Sequence, residues 1–345
     1  MADQGRGADL AAAYSAEVVE PLLERRVPGL RFSTARLGSG SDVLGLDDDI
    51  SRDHDWGLRL TVVVPEGRVE EVDRLLEREL PEAFRGRPVR FPTTWEPVVR
   101  QRAEVVTARG LAESRAGVAR PTTVLDWASL TGQAALELTA GPVLRDEDGV
   151  LAELREGFAG YPDDVRRWAV ASAWSGLGQE LPFVGRTGER GDDLGSRLIT
   201  GRLVLTAMRL GFLLERRWAP YSKWLGTAFA ALPLADEVGP SLRRAVEAEG
   251  WQERQEALGA ALDGLAHVQA RVGLPSLDPA TEPFWTRPHR GVRSIPELVR
   301  AAVEDPALRR APLVGTPEQW TDDVGLLVDH RLRRAATAAL LAPSL

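Results

Sequence analysis

The chain has 345 residues and a net charge of −8, with 43% apolar and 27% charged residues, a composition ordinary for a globular protein with room for two domains. It has no cysteine, which excludes disulfides, thiolate nucleophiles and cysteine-ligated zinc. The acidic balance weighs against a nucleic-acid duplex as the main partner, because a phosphate backbone calls for a basic face.

No apolar run reaches the length of a membrane span, and MADQGRGADL lacks the charged-then-apolar order of a leader, so a cytoplasmic protein is expected. The basic residues are 42 arginines and a single lysine, Lys223. Arginine throughout is what a GC-rich genome produces. A lone surviving lysine then suggests a place where a compact ammonium serves better than a planar guanidinium, the alternative being chance.

In chain order, Leu10, Tyr14, Val18 and Leu22 recur every four residues, which predicts a helix over 9–26 closed by Pro28-Gly29. A short apolar strand over 30–37 leads to the turn Gly38-Ser39. A second apolar strand follows over 58–64, then a helix over 68–79 closed by Pro81. A short strand is expected over 88–91. Residues 96–120 are arginine-rich with no clean period, and 122–125 reads as a strand. The polar turn at 145–149 precedes a change of pattern. From Tyr161 on, helices are separated by proline and glycine: one starting at Pro162, then 191–217, 240–272, 295–303 and 325–341. The expected fold class is α+β, with an N-terminal domain over 1–155 and an all-helical domain over 156–345.

The chemistry concentrates in RLGSGSDVLGLDDDISRDHDWG, residues 36–57. On a strand, residues i and i+2 share a face, so Asp53 and Asp55 are expected to project together, with His54 opposite. Two adjacent carboxylates repel unless a cation lies between them, and an all-oxygen site suits Mg2+ (or Mn2+). The upstream turn offers Gly38, Ser39 and Ser41 as phosphate holders. It is not a P-loop, since no Gly-Lys-Ser/Thr follows. The competing readings are a solvated acidic loop, for which the neighbouring Asp47-Asp48-Asp49 is a reminder, and a merely flexible turn.

This segment resembles the nucleotidyltransferase superfamily with the polymerase-beta-like fold, whose signature is a Gly-Ser turn followed by Asp-x-Asp on the next strand. A closer resemblance is to the bacterial domain of unknown function 4037 family, through the SRDHDWG block. A second block supports it: 182–186 (PFVGR), 191–196 (GDDLGS) and 219–227 (APYSKWLGT). The resemblance implies a nucleotidyltransferase-fold mixed sheet at the N-terminus. It also implies Mg2+-dependent transfer of a nucleoside monophosphate from an NTP to an unidentified, small-molecule acceptor.

The superfamily carries a third acid on a later strand. Against a family pattern Val-Glu-Val-Thr-Thr, residues 119–123 read Ala-Arg-Pro-Thr-Thr, which puts arginine where the acid stands, and Asp126 becomes the substitute base or ligand. Arg186, in an expected loop, is a candidate nucleotide contact. So are Arg202 on a stripe with Arg209 and Arg216, and Lys223 at a helix start. Each has a plain alternative as a solvated surface charge. The competing functions are a nucleotide-binding or regulatory protein that lost turnover, and one half of a toxin–antitoxin pair.

Overall fold

The computed structural model describes residues 6–48, 50–51 and 56–342. They form two compact units, Met1–Pro121 with Ala134–Ala159, and Thr122–Gln133 with Gly160–Leu345. The first unit is α/β, and the second is helical apart from an antiparallel hairpin, Thr281–Pro283 with Arg290–Val292, so the α+β class holds while the all-helical expectation for the second part does not.

The first unit is built on a four-stranded mixed sheet: β1 (Ser33–Ala35), β2 (Leu60–Val63), β3 (Ala103–Val106) and β4 (Val143–Arg145), in the order β3-β2-β1-β4. β1 runs antiparallel to both β2 and β4, while β2 and β3 are parallel. β1 and β2 are buried throughout; β2, Leu-Thr-Val-Val, accordingly reads as a nearly continuous apolar run, whereas β1 buries Ser33 and Thr34, whose hydroxyls donate to Asp146 and Glu20. The helix expected over 9–26 is Gly7–Tyr14, continuing through a π-helical turn, Ser15–Val19, into Glu20–Arg26. Its Tyr14, Val19 and Leu23 join Leu60 and Val62 of β2 and Leu76 of helix Val69–Glu79 in one core.

The featureless stretch 96–120 contains β3 and a helix, α1 (Ala108–Ala116), with Thr107 as N-cap. β3 alternates buried Ala103 and Val105 with half-buried Glu104 and Val106. Its neighbours Arg100, Arg102, Arg109 and Arg115 obscure that period in the sequence.

The turn after β1 is held from behind by a buried ion pair. Arg36 Nε and Nη2 donate to Asp42 Oδ2 and Oδ1 at 2.6 and 2.9 Å, with the side chains 2% and 5% exposed. Nη2 also donates to the Ser39 carbonyl at 3.0 Å. The chain folds round this guanidinium because Gly38 and Gly40 adopt φ of +86° and +141°. A Cβ on Gly40 would lie 2.2 Å from Asp42 Oδ1 and 2.7 Å from Arg36 Nη2, so no other residue fits.

The strand expected over 122–125 is instead the N-cap and first turn of a short helix, α2 (Val124–Ala128). Thr123 and Asp126 form a capping box, a local hydrogen-bonded alternative to a strand that the β-branched pair Thr122-Thr123 does not reveal. Asp126 Oδ2 accepts from the amides of Thr122 and Thr123 at 3.0 and 2.9 Å, and Oδ1 accepts from Arg334 at 2.6 Å.

The helical unit packs α3 (Asp163–Glu189), α4 (Asp193–Leu214), α5 (Ala235–Glu247) and α6 (Trp251–Arg271) round Trp174, Leu177, Leu210, Val238 and Leu262. α3 runs through Pro182 instead of stopping near it. Beyond the proline, a Cβ on Gly185 would come 2.4 Å from His289 Nδ1, and one on Gly188 would come 2.3 Å from Trp251. This close packing holds the helix where propensity alone would end it.

Two outcomes follow. Asp42→Asn leaves Arg36 charged and buried beside a neutral amide, and should destabilise the protein by about 3–5 kcal/mol in chemical denaturation. For Asp126, burial raises the pKa, but the Thr122 and Thr123 amides and the Arg334 guanidinium outweigh it and bring the carboxyl from 3.8 down to about 2. The folded value lies below the unfolded one, so this stabilisation is present above pH 3.8 and is lost as pH falls through about 2. Asp126→Asn should cost about 1–3 kcal/mol near neutral pH, with the gap from the parent protein closing as denaturation is measured at lower pH.

Candidate active site

Asp53, His54 and Asp55 lie outside the described residues. β2 begins at Leu60 after a bend at 57–58.

The Gly-Ser turn leaves the C-terminal end of β1. Because β1 and β2 are antiparallel and β2 and β3 parallel, that end of the sheet also carries the starts of β2 and β3. Ala35 pairs with Thr61, and Thr61 with Glu104, so the three residues form one row across one face of the sheet. Glu104 thus stands two strands from the turn, at the same end.

α1 then folds back along the sheet and returns Arg115 to this point. Arg115 Nη2 donates to both Glu104 oxygens at 3.1 Å, and its Nε pairs with Glu137 Oε2 at 3.3 Å. The same Nη2 lies 3.7 Å from where a Cβ on Gly38 would be. Gly38 donates its amide to the Glu137 carbonyl at 2.9 Å. Turn, acid and guanidinium are therefore one connected cluster.

Arg59 approaches from the other side. Its Nη1 donates to the Ser39 carbonyl at 2.9 Å, and its guanidinium lies 5.0 Å from the Trp95 ring centre. Trp95 is 57% exposed. Arg102 anchors this loop through Glu96 at 2.7 Å and the carbonyls of Phe91, Glu96 and Val98.

Within the turn, Gly38 is buried while Ser39 and Gly40 are half-buried, so Ser39 and Gly40 are its solvent-accessible positions. Ser41 is buried, and its hydroxyl donates to the Ser51 carbonyl at 3.4 Å, an internal brace rather than an open contact. The neighbouring acids have local work. Asp47 accepts from the Gly7 amide, and Asp48 accepts from the amides of Ile50 and Ser51, which hold its carboxyl below the usual range together with the Ser51 hydroxyl.

The remaining predicted residues belong to the helical unit. Asp126 is held by its capping box and Arg334, leaving the roles of base and ligand without support from its surroundings. Arg186 lies inside α3, not in a loop, with its guanidinium 5.3 Å from the Phe183 ring centre. Arg202 pairs with Glu180 at 2.6 Å, Arg209 with Asp322 at 3.0 Å, and Arg216, beyond the end of α4, with Asp163. The expected cationic stripe is thus divided among three acids. Lys223 is exposed on the first turn of helix Ser222–Ala230, with its ammonium 5.1 Å from the Trp224 ring centre.

Residues 119–123 form no strand, whereas Ala103-Glu104-Val105-Val106-Thr107 contains β3 and shares the Glu, the following Val and the final Thr of the pattern Val-Glu-Val-Thr-Thr. The missed signal is an acid between two apolar residues, directly before an N-capping threonine.

Among the described residues, no three histidine or acidic side chains gather at metal-binding spacing. The donor chemistry nonetheless fits a hard cation: Glu104 supplies a carboxylate at the turn's end of the sheet, and Asp53 and Asp55 precede β2 in the sequence.

The chain has no match among curated proteins. A crystal structure of a nucleotidyltransferase-like protein from Exiguobacterium sibiricum 255-15 aligns over 75% of this chain and 74% of its own, at 11% identity and a TM-score of 0.32, a likeness too remote to assign a role to a residue. The family model "Domain of unknown function (DUF4037)" matches residues 127–225. That stretch lies outside the Gly-Ser turn and Glu104 but includes most of the second sequence block, and it bears out the resemblance to that family over residues 127–225.

Proposed function

We propose that the N-terminal unit is the catalytic part of a Mg2+- (or Mn2+-) dependent nucleotidyltransferase, moving a nucleoside monophosphate from an NTP to a hydroxyl or amine of a small molecule. One observation carries this reading: the Gly-Ser turn, shaped by two glycines at positive φ, stands at the same sheet end as the strand acid Glu104.

Each part has a task. The half-buried Ser39 and Gly40 receive the phosphates, and Arg36 and Arg59 hold the turn by its Ser39 carbonyl before substrate arrives. Asp53, Asp55 and Glu104 are the carboxylates that would hold the cation. A bound divalent ion supplies charge stabilisation on the attacking and leaving oxygens. On this reading Glu104 also accepts the proton of the acceptor as its oxygen or nitrogen attacks the α-phosphorus and pyrophosphate departs. The competing reading, a nucleotide binder without turnover, was grounded on arginine in place of the third acid. Glu104, an acid on a sheet strand at the turn's end, favours the reading with turnover. Arg186, Arg202 and Lys223 carry none of this reading.

Calorimetry with each of the four NTPs, with and without Mg2+, should show metal-dependent binding of at least one. Asp53→Asn and Asp55→Asn should abolish the metal dependence. Glu104→Gln should retain binding while slowing release of labelled pyrophosphate, in the presence of cell extract, by about 100-fold or more. Unchanged metal-dependent affinity in both aspartate variants would sink the reading.

A further inference from the structure

Among the described residues, Arg115 is one cation shared between two acids and the Gly-Ser turn. It bonds both oxygens of Glu104, pairs with Glu137, and lies against Gly38. Its side chain is 26% exposed, and those of Glu104 and Glu137 are 40% and 19% exposed, so the cluster is open to solvent on the Glu104 side. The guanidinium fork and the two Glu104 oxygens form a charge-assisted pair. That pair takes up the carboxylate a metal would need.

We infer that Arg115 is a positioning residue that exchanges partners: it holds Glu104 while the site is empty, and moves to the nucleotide's phosphates when a divalent cation takes Glu104. This rests on the nucleotidyltransferase reading and deepens it. Two facts drive the exchange. A guanidinium and a metal on one carboxylate compete for its oxygens and repel each other as like charges, so a metal at Glu104 weakens the hold of Arg115 on it. The displaced guanidinium already stands over Gly38, beside the half-buried Ser39 and Gly40, and matches the geometry of a phosphate. Glu137 keeps the arginine from leaving the cluster, while its own carbonyl fixes the Gly38 amide. Metal and nucleotide then bind with positive coupling, because each removes a partner that the other's site must release.

The exchange predicts opposite signs for two affinities, which loss of a structural support would not give. In the full chain without nucleotide, Arg115→Gln should bind Mn2+ at least three-fold more tightly than the parent, counted by loss of the free-ion electron paramagnetic resonance signal. The same variant should bind Mn·NTP at least ten-fold more weakly by calorimetry. Arg115→Lys keeps a charge without the fork, and should show both shifts with smaller factors. If Arg115→Gln does not fold, Arg115→Lys decides on the same two readings. Affinities that move in the same direction, or an unchanged Mn2+ affinity in a parent that binds Mn·NTP, overturn the exchange alone. A parent that binds neither Mn2+ nor any NTP overturns the nucleotidyltransferase reading, and the exchange with it.

Discussion

Everything proposed for the N-terminal unit depends on one buried cation, the Arg36 guanidinium. A charge this deep is costly unless every donor finds an acceptor. Asp42 takes two of its hydrogen bonds, and the carbonyls of Leu37 and Ser39 take others. Those carbonyls belong to the turn itself. The chain is therefore wrapped round the charge, and the turn's shape follows from satisfying it. Gly40 has no room for a Cβ because Asp42 and Arg36 already occupy the space. Gly141 is excluded from change in the same way, since its Cβ would lie 2.2 Å from the Arg36 carbonyl oxygen. A flexible Gly-Ser linker would show none of this convergence.

The sequence carried the large features and hid the small ones for identifiable reasons. The helix over 9–26, the strand at 60–63 and the helix at 69–79 announce themselves through long apolar periods. Strand β3 does not, because it has four residues and a flank of arginines whose long stems half-bury polar positions. That is why Glu104, a strand acid at the turn's end of the sheet, does not stand out in the sequence. The glycines of the turn were legible as glycines, but Arg36 and Asp42, which make the turn rigid, look like any surface pair until burial is known. Arg59 and Arg115 were hidden differently: with 42 arginines in the chain, no single one stands out.

The helical unit shows the reverse error. Thr122-Thr123-Val124-Leu125 has strong strand propensity, yet a capping box satisfies its backbone locally and starts a helix. Arg202, Arg209 and Arg216 keep seven-residue spacing, yet each finds its own acid. Spacing shows which residues share a face; it does not show what already stands opposite them.

The pairing of Asp126 with Arg334 joins positions 208 residues apart, and Arg333 reaches the neighbouring Ser129 carbonyl at 3.1 Å. Segment 122–133 meets Tyr161 early, through Trp127 and the Leu130 carbonyl, but completes its polar contacts only once the helix His330–Leu341 has been synthesised. On the ribosome, the first unit closes only after residues 134–159 emerge, with the intervening loop still waiting for its partner. Long-range closures of this kind form late and slowly. During translation the Asp126 carboxylate and the Ser129 carbonyl therefore wait 208 and 204 residues for Arg334 and Arg333, and until then the segment stays more open to a chaperone or a protease.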